Sequence, residues 1–144
     1  MSKESAAPLP LAGRCLCGAI RYELDAPVEV LVNCHCQFCR RAHGAAFATA
    51  SPVPSQALRI VAGEEELSRH GGRFFCRICA TRLYNRAPAG LIVLVVTSLD
   101  QEPAIAPSAH MNLESKAPWY EILDDAPRFD ALPPGVSDAL SKPD

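Results

Sequence analysis

The stretch NCHCQFCRRAHG, residues 33–44, decides how this chain is read. Three cysteines, Cys34, Cys36 and Cys39, fall close together there, and Arg40 and Arg41 follow at once. Along an extended segment, residues i and i+2 point to the same side, so the two sulfurs of a C-x-C face together. A C-x-x-C in a tight turn brings its two sulfurs onto one ion. Soft thiolates in this arrangement favour zinc over magnesium or calcium. Three thiolates are nevertheless one short of a closed tetrahedron.

The same spacing recurs on both sides of the cluster. Cys15 and Cys17 form a C-x-C, and Cys76 and Cys79 form a C-x-x-C. Two such half-sites complete one tetrahedral S4 site, which predicts a structural zinc that staples the first strands to the second half of the domain. A structural zinc supplies on the order of 10 kcal/mol of folding free energy. The total of 7 cysteines is odd, which argues against a disulfide framework.

The central trio then stands alone, with three readings. An exchangeable ligand takes the fourth position, as in catalytic zinc sites, so that an incoming thiol or carbonyl is activated. Alternatively a histidine closes the site. His43 reaches it if the segment coils, His35 points away as the middle residue of its C-x-C, and no pattern places His70 or His110. In the third reading the thiols are free of metal, and the neighbouring arginines lower their pKa values and make them redox-active. Arg40 and Arg41 would offset the charge of the cluster and suit a carboxylate.

Working outward, 144 residues suit a single domain. We place it at residues 11–132, with flexible tails at 1–10 and 133–144. Apolar residues make up 49%, enough for a packed core. A net charge of -2 argues against nucleic acid or a membrane surface as the main partner. The longest apolar run, LIVLVV at residues 91–96, is far too short to span a bilayer. The N-terminal segment lacks the apolar region of a secretory signal, which predicts a cytoplasmic location.

The body reads as strands. AIRYEL (residues 19–24) alternates Ile20, Tyr22 and Leu24 on one face. VEVLVN (28–33), AAFATAS (45–51) and LRIVAG (58–63, turning at Gly63) are further strands. ELSRH, RFFC and RLYNRA (66–87) read as strand, turn and strand. LIVLVVTSL (91–99) is a central strand buried on both faces. QFCRRAHG (37–44) fits one helical turn, and 13 prolines disfavour long helices. The expected fold is therefore mainly β and antiparallel, built around zinc-ribbon-like knuckles, with strand edges that allow a homodimer.

Taken in order, GRCLCGAIRYEL (13–24), NCHCQFCRRAHGAAF (33–47), RFFCRICATRLY (73–84), SLD (98–100) and HMNLESKAPW (110–119) resemble the glutathione-dependent formaldehyde-activating enzyme family, the CENP-V/GFA domain. The resemblance spans about residues 11–130. It implies a Mss4-like antiparallel β fold with two zinc ions. Cys15, Cys17, Cys76 and Cys79 would hold the structural zinc, and Cys34, Cys36 and Cys39 the catalytic one. The implied activity is a carbon–sulfur lyase reaction run in reverse, joining formaldehyde to glutathione to give S-hydroxymethylglutathione. The partners are then a small-molecule thiol and an aldehyde-like electrophile. Arg40, or another basic residue at the pocket, would hold a glutathione carboxylate, and His110 would contact the pocket or support the residues that line it. Phe47 and Trp119 read as core residues before pocket walls. One departure from the family pattern is Ala80, where a glycine is usual after the last C-x-x-C. If φ is positive there, alanine costs on the order of 1 kcal/mol. The competing functions are a non-catalytic zinc-binding module and a thiol redox or metal-responsive protein.

Overall fold

Ile20, Tyr22 and Leu24 alternate as a strand requires, and all three side chains are buried. They form the inner face of a small sheet in a computed structural model that describes residues 7–133. The outer parts of the expected tails, residues 1–6 and 134–144, lie outside the described residues. In chain order the elements are β1 (Leu11–Arg14), β2 (Arg21–Leu24), β3 (Val32–Cys34), α1 (Gln37–His43), β4 (Ala48–Pro54) and β5 (Leu58–Ala62). Then follow β6 (Leu67–His70), β7 (Arg73–Cys76), β8 (Arg82–Arg86), β9 (Leu91–Val95) and β10 (Ala109–Met111). The fold is mainly β, as expected from the sequence.

Two sheets carry these strands. The small one has the order β1-β2-β5, and the large one β10-β3-β4-β9-β8-β7-β6. Every pairing is antiparallel except β10 against β3. Leu83, Leu94, Ile92 and Val53 of the large sheet meet Ile20, Tyr22 and Leu24 of the small one in the main core. Each such aliphatic side chain, fully buried, contributes about 1.5–3 kcal/mol. Gly13 on β1 is required by this packing, because a Cβ there would lie 2.1 Å from Tyr22 Cζ. The Tyr22 hydroxyl in turn bonds Ser98 Oγ at 2.6 Å.

Several local readings change, among them VEVLVN, of which β3 keeps only Val32 and Asn33 before Cys34. RFFC is strand β7, not a turn; the reversal precedes it, at Gly71 and Gly72, where φ of +59° suits Gly71. The helix α1 runs beyond a single turn and stops at Gly44, whose left-handed backbone donates its N–H to Arg40 O. Glycine caps helices because it lacks the Cβ penalty of that conformation. The strand AAFATAS begins later, at Ala48, and accommodates Pro52. β3 pairs with β4 only as far as Ala50, so Pro52 lies where the strand has one neighbour and the lost donor is tolerated.

β9 is central, between β4 and β8, as expected. Its Ile92 and Leu94 enter the main core, while Val93 and Val95 face the opposite side of the large sheet. That second face positions the site. The outer edge of β10 is covered by a returning segment, through Phe129 N–H to His110 O at 2.9 Å and Asn112 N–H to Ala131 O at 2.9 Å. No helix among the described residues is long and apolar enough to cross a membrane.

Candidate functional site

The seven cysteines separate into two groups. In each, the sulfurs lie within 4.8 Å of one another: Cys15, Cys17, Cys76 and Cys79, and Cys34, Cys36 and Cys39. Both groups could hold a metal ion.

The quartet joins the two sheets. Cys15 and Cys17 sit in the turn between β1 and β2, and Cys76 and Cys79 at the turn between β7 and β8. Sulfurs at about 2.3 Å from a tetrahedral zinc stand about 3.8 Å apart. Cys15 and Cys17 Sγ are 3.5 Å apart and Cys17 and Cys76 Sγ 3.9 Å, so the donor set fits such an ion. Backbone and hydroxyl donors surround the sulfurs. Ile20 N–H bonds Cys15 Sγ at 3.3 Å, and Thr81 Oγ1 lies 3.1 Å from Cys79 Sγ while accepting from Leu16 N–H. Burial pushes the Cys79 thiol up, but the Thr81 hydroxyl and the N–H groups of Cys17 and Thr81 outweigh it and bring the thiol to about 5. Ala80 closes this knuckle with φ of +65°, and its N–H bonds Cys76 O at 2.8 Å.

The trio stands at the junction of β3 and α1. Cys34 ends β3, Cys36 caps the helix, and Cys39 lies in its first turn. Cys36 Sγ accepts the Cys39 N–H at 3.4 Å. On the other side Asn112, just past β10, donates Nδ2–H to Cys34 Sγ at 3.3 Å. The Cys36 thiol is brought down to about 2 by hydrogen bonds from Cys34 and Cys39 and by the N–H groups of Cys39 and Phe38. The same contacts push the Cys39 thiol far up. A metal ion bound by the three sulfurs would hold all of them as thiolates. Among the described residues no histidine or carboxylate joins the trio at ligand distance.

A cavity of about 280 Å³ opens over the trio. Its floor is Ala48 and Ala50 of β4 with Val93 and Val95 of β9, the face of the large sheet turned away from the main core. The two alanines leave this space, since neither carries a side chain beyond Cβ. His43 lines it from α1, and Arg73, Asn85 and Arg86 from β7 and β8. Burial, and then the nearby Arg82, push the His43 imidazole down. A larger groove of about 660 Å³, between Leu58, Phe74 and Tyr84, contains no cysteine or histidine.

The remaining residues singled out in the sequence go elsewhere. Arg40 donates Nη1–H to Ser115 O at 2.8 Å and borders a separate surface hollow with Arg41 and Trp119, not the cavity. Trp119 is exposed rather than a core residue. His70 ends β6 at the surface. His110 is fully buried and does not line the cavity. His35 does turn away from the sulfurs. Its Nε2 meets His110 Nδ1 at 2.8 Å, and His110 Nε2 meets Asp124 Oδ2 at 2.9 Å. Phe47 packs against His35 with ring centroids 5.0 Å apart, and Tyr120 packs on Phe47 at 5.6 Å. Burial, then the neighbouring His110, hold the His35 imidazole down at about 4. This chain pins the segment between Cys34 and Cys36 to β10 and the C-terminal return. Sequence reasoning missed Asp124, Asn112 and Arg73. Asp124 and Asn112 follow no spacing rule, and Arg73 was masked by reading RFFC as a turn.

Residues 10–115 match the family model described as glutathione-dependent formaldehyde-activating enzyme. A Halomonas elongata protein carrying the same description is 31% identical over 127 residues, covering 78% of this chain and 80% of its own. A crystal structure of a Rhodobacter sphaeroides protein superposes with a TM-score of 0.53 and 26% identity, over 65% of this chain and 92% of that one.

Proposed function

The chain belongs to the glutathione-dependent formaldehyde-activating enzyme family, and from that premise we propose that it catalyses addition of a thiol to formaldehyde or another small electrophile. Glutathione is the thiol that the family description supports. Cys15, Cys17, Cys76 and Cys79 would hold a structural zinc, and Cys34, Cys36 and Cys39 a catalytic one. Bound to the trio, zinc would supply Lewis acidity and favour the thiolate form of an incoming thiol. The chain's own residues do the rest. The trio fixes where the sulfur enters, Asn112 orients Cys34, and the aliphatic floor excludes water from the reacting atoms. The thiol gives up its proton, its sulfur forms a bond to the aldehyde carbon, and the C=O π pair moves to oxygen. That oxygen then takes up a proton, giving the hydroxymethyl thioether.

One observation carries this reading: four sulfurs meet at one cluster, whereas three sulfurs and no fourth protein ligand among the described residues meet beside a cavity at the other. The test is metal content together with formaldehyde consumption in the presence of glutathione, for wild type and Cys36→Ser. We expect two zinc ions per chain in the wild type and one in the variant, with consumption lost. A wild type holding one zinc with three alkylatable thiols would favour the redox reading. Two tightly held zinc ions with idle turnover over a range of thiols would favour the non-catalytic module.

A further inference from the structure

We propose that Arg73 is the carboxylate-binding residue of the cavity, so that the site selects thiols carrying a carboxylate; the inference rests on the thiol-addition reading above. Arg73 opens β7 and lines the cavity beside Asn85, its partner in the β7–β8 register. Its guanidinium carbon sits 4.4 Å from the centroid of Phe38. Phe38 lies between Cys36 and Cys39, so this stacking ties the cation to the loop that bears the trio. A guanidinium stacked on a ring keeps its in-plane N–H donors available, the geometry that receives a carboxylate on two bonds.

Charge balance points the same way. Three thiolates around a divalent ion carry one net negative charge. Arg82 on β8 is half-buried and does not line the cavity. Its Nη2–H is committed to Asn85 Oδ1 at 2.7 Å. Arg73 and Arg86 are the cavity's two remaining cations, and of these only Arg73 is held against the trio's segment, whereas Arg86 lies over Phe74. Among the described residues neither Arg73 nor Arg86 makes an ion pair, and no Asp or Glu lines the cavity. At about 280 Å³ the cavity is small, and the trio and Arg73 line the same space, so one thiol can meet both. Arg40, the arginine that follows the trio in sequence, is turned to Ser115 O instead.

The test is anaerobic titration calorimetry on the zinc-loaded full chain with 3-mercaptopropionate, 2-mercaptoethanol and propionate. We expect 3-mercaptopropionate to bind roughly ten- to a hundredfold more tightly than the neutral thiol, the range of a charge-assisted hydrogen bond. Arg73→Gln should remove that preference, leave 2-mercaptoethanol unchanged, and keep the wild-type zinc content. Phe38→Ala, at an exposed position, frees the guanidinium and should weaken 3-mercaptopropionate alone, which serves if the first variant does not fold. Equal affinity for the two thiols, or an unchanged preference in the variants, overturns the assignment and leaves thiol activation standing. Arg73-dependent binding of propionate, with neither thiol binding more tightly than it, upholds the carboxylate site and sinks thiol activation. No binding by any of the three overturns both.

Discussion

Ala80→Gly should stabilise the protein, and the size of the gain follows from one backbone angle. Ala80 has φ of +65°, in the left-handed region, at the turn that carries Cys76 and Cys79. A Cβ in that conformation costs about 1–2 kcal/mol. Its side chain is exposed, so truncation removes no buried contact, and the N–H bond to Cys76 O does not involve Cβ. Against this, glycine gives the unfolded chain more freedom, at a cost of about 0.5–1 kcal/mol. The net expectation is a gain of about 0.5–1 kcal/mol, or a melting point higher by about 2–4 °C. Ala89, with φ of +59° and also exposed, stands at the far end of β8 and provides an independent copy of the experiment. Ala89→Gly should give a similar gain, and the two should add. Ala42, exposed on α1, is the opposite control, since glycine inside a helix costs about 1 kcal/mol. The assay is equilibrium urea unfolding at fixed excess zinc, with thermal unfolding beside it. An Ala80→Gly protein that is neutral, or destabilised like Ala42→Gly, would refute the argument from positive φ.

Gly13→Ala should be strongly destabilising, by about 3 kcal/mol or more, because the new methyl meets the buried Tyr22 ring and neither β1 nor β2 can retreat from the core; a urea midpoint within error of wild type would rule this out. The pH dependence turns on His35. Its folded value of about 4 lies below the ordinary 6.5, so the unfolded chain binds more protons between those values. Its stabilising contribution is therefore complete above pH 6.5 and is lost as pH falls toward 4, by about 2 kcal/mol between pH 7 and pH 5. Urea unfolding of wild type and His35→Gln at the two pH values isolates this share from the acid lability of the metal sites. A wild-type slope no steeper than the variant's would show that His35 does not titrate with folding.

Much of the site was legible because sulfur spacing is a local code. C-x-C and C-x-x-C each state a short-range geometry, and the pairing of the first with the last follows from ligand count. The two clusters form as that count requires. The β2 strand was legible for a similar reason, since period-two burial of Ile20, Tyr22 and Leu24 needs no knowledge of partners. What failed depends on distant residues. β10 pairs in parallel with β3, about 75 positions earlier, through three residues with no strand pattern of their own. RFFC is a strand because β6 and β8 flank it, although Gly71 and Gly72 mark the reversal in plain view. The His35–His110–Asp124 chain joins three single residues that no spacing rule links.

The same sulfur spacing serves two ends here, and what faces each half-site separates them. At the quartet the facing element is another hairpin turn, so a second pair of sulfurs completes the shell and the two sheets are joined. At the trio the facing element is the sheet itself, where Ala48 and Ala50 present only methyl groups. A leucine at either position would fill the cavity, and Ala48 stands directly across from Cys34 in the β3–β4 register. The trio's segment is braced by Asn112, which donates to Cys34 from the cavity wall, and by the buried histidine pair outside it. Among the cation–ring contacts of the described residues, the Arg73 guanidinium over Phe38 is the one that joins β7 to the helix beside the trio. On the thiol-addition proposal, the two small side chains on β4 that keep this space open matter as much as the cysteines beside them.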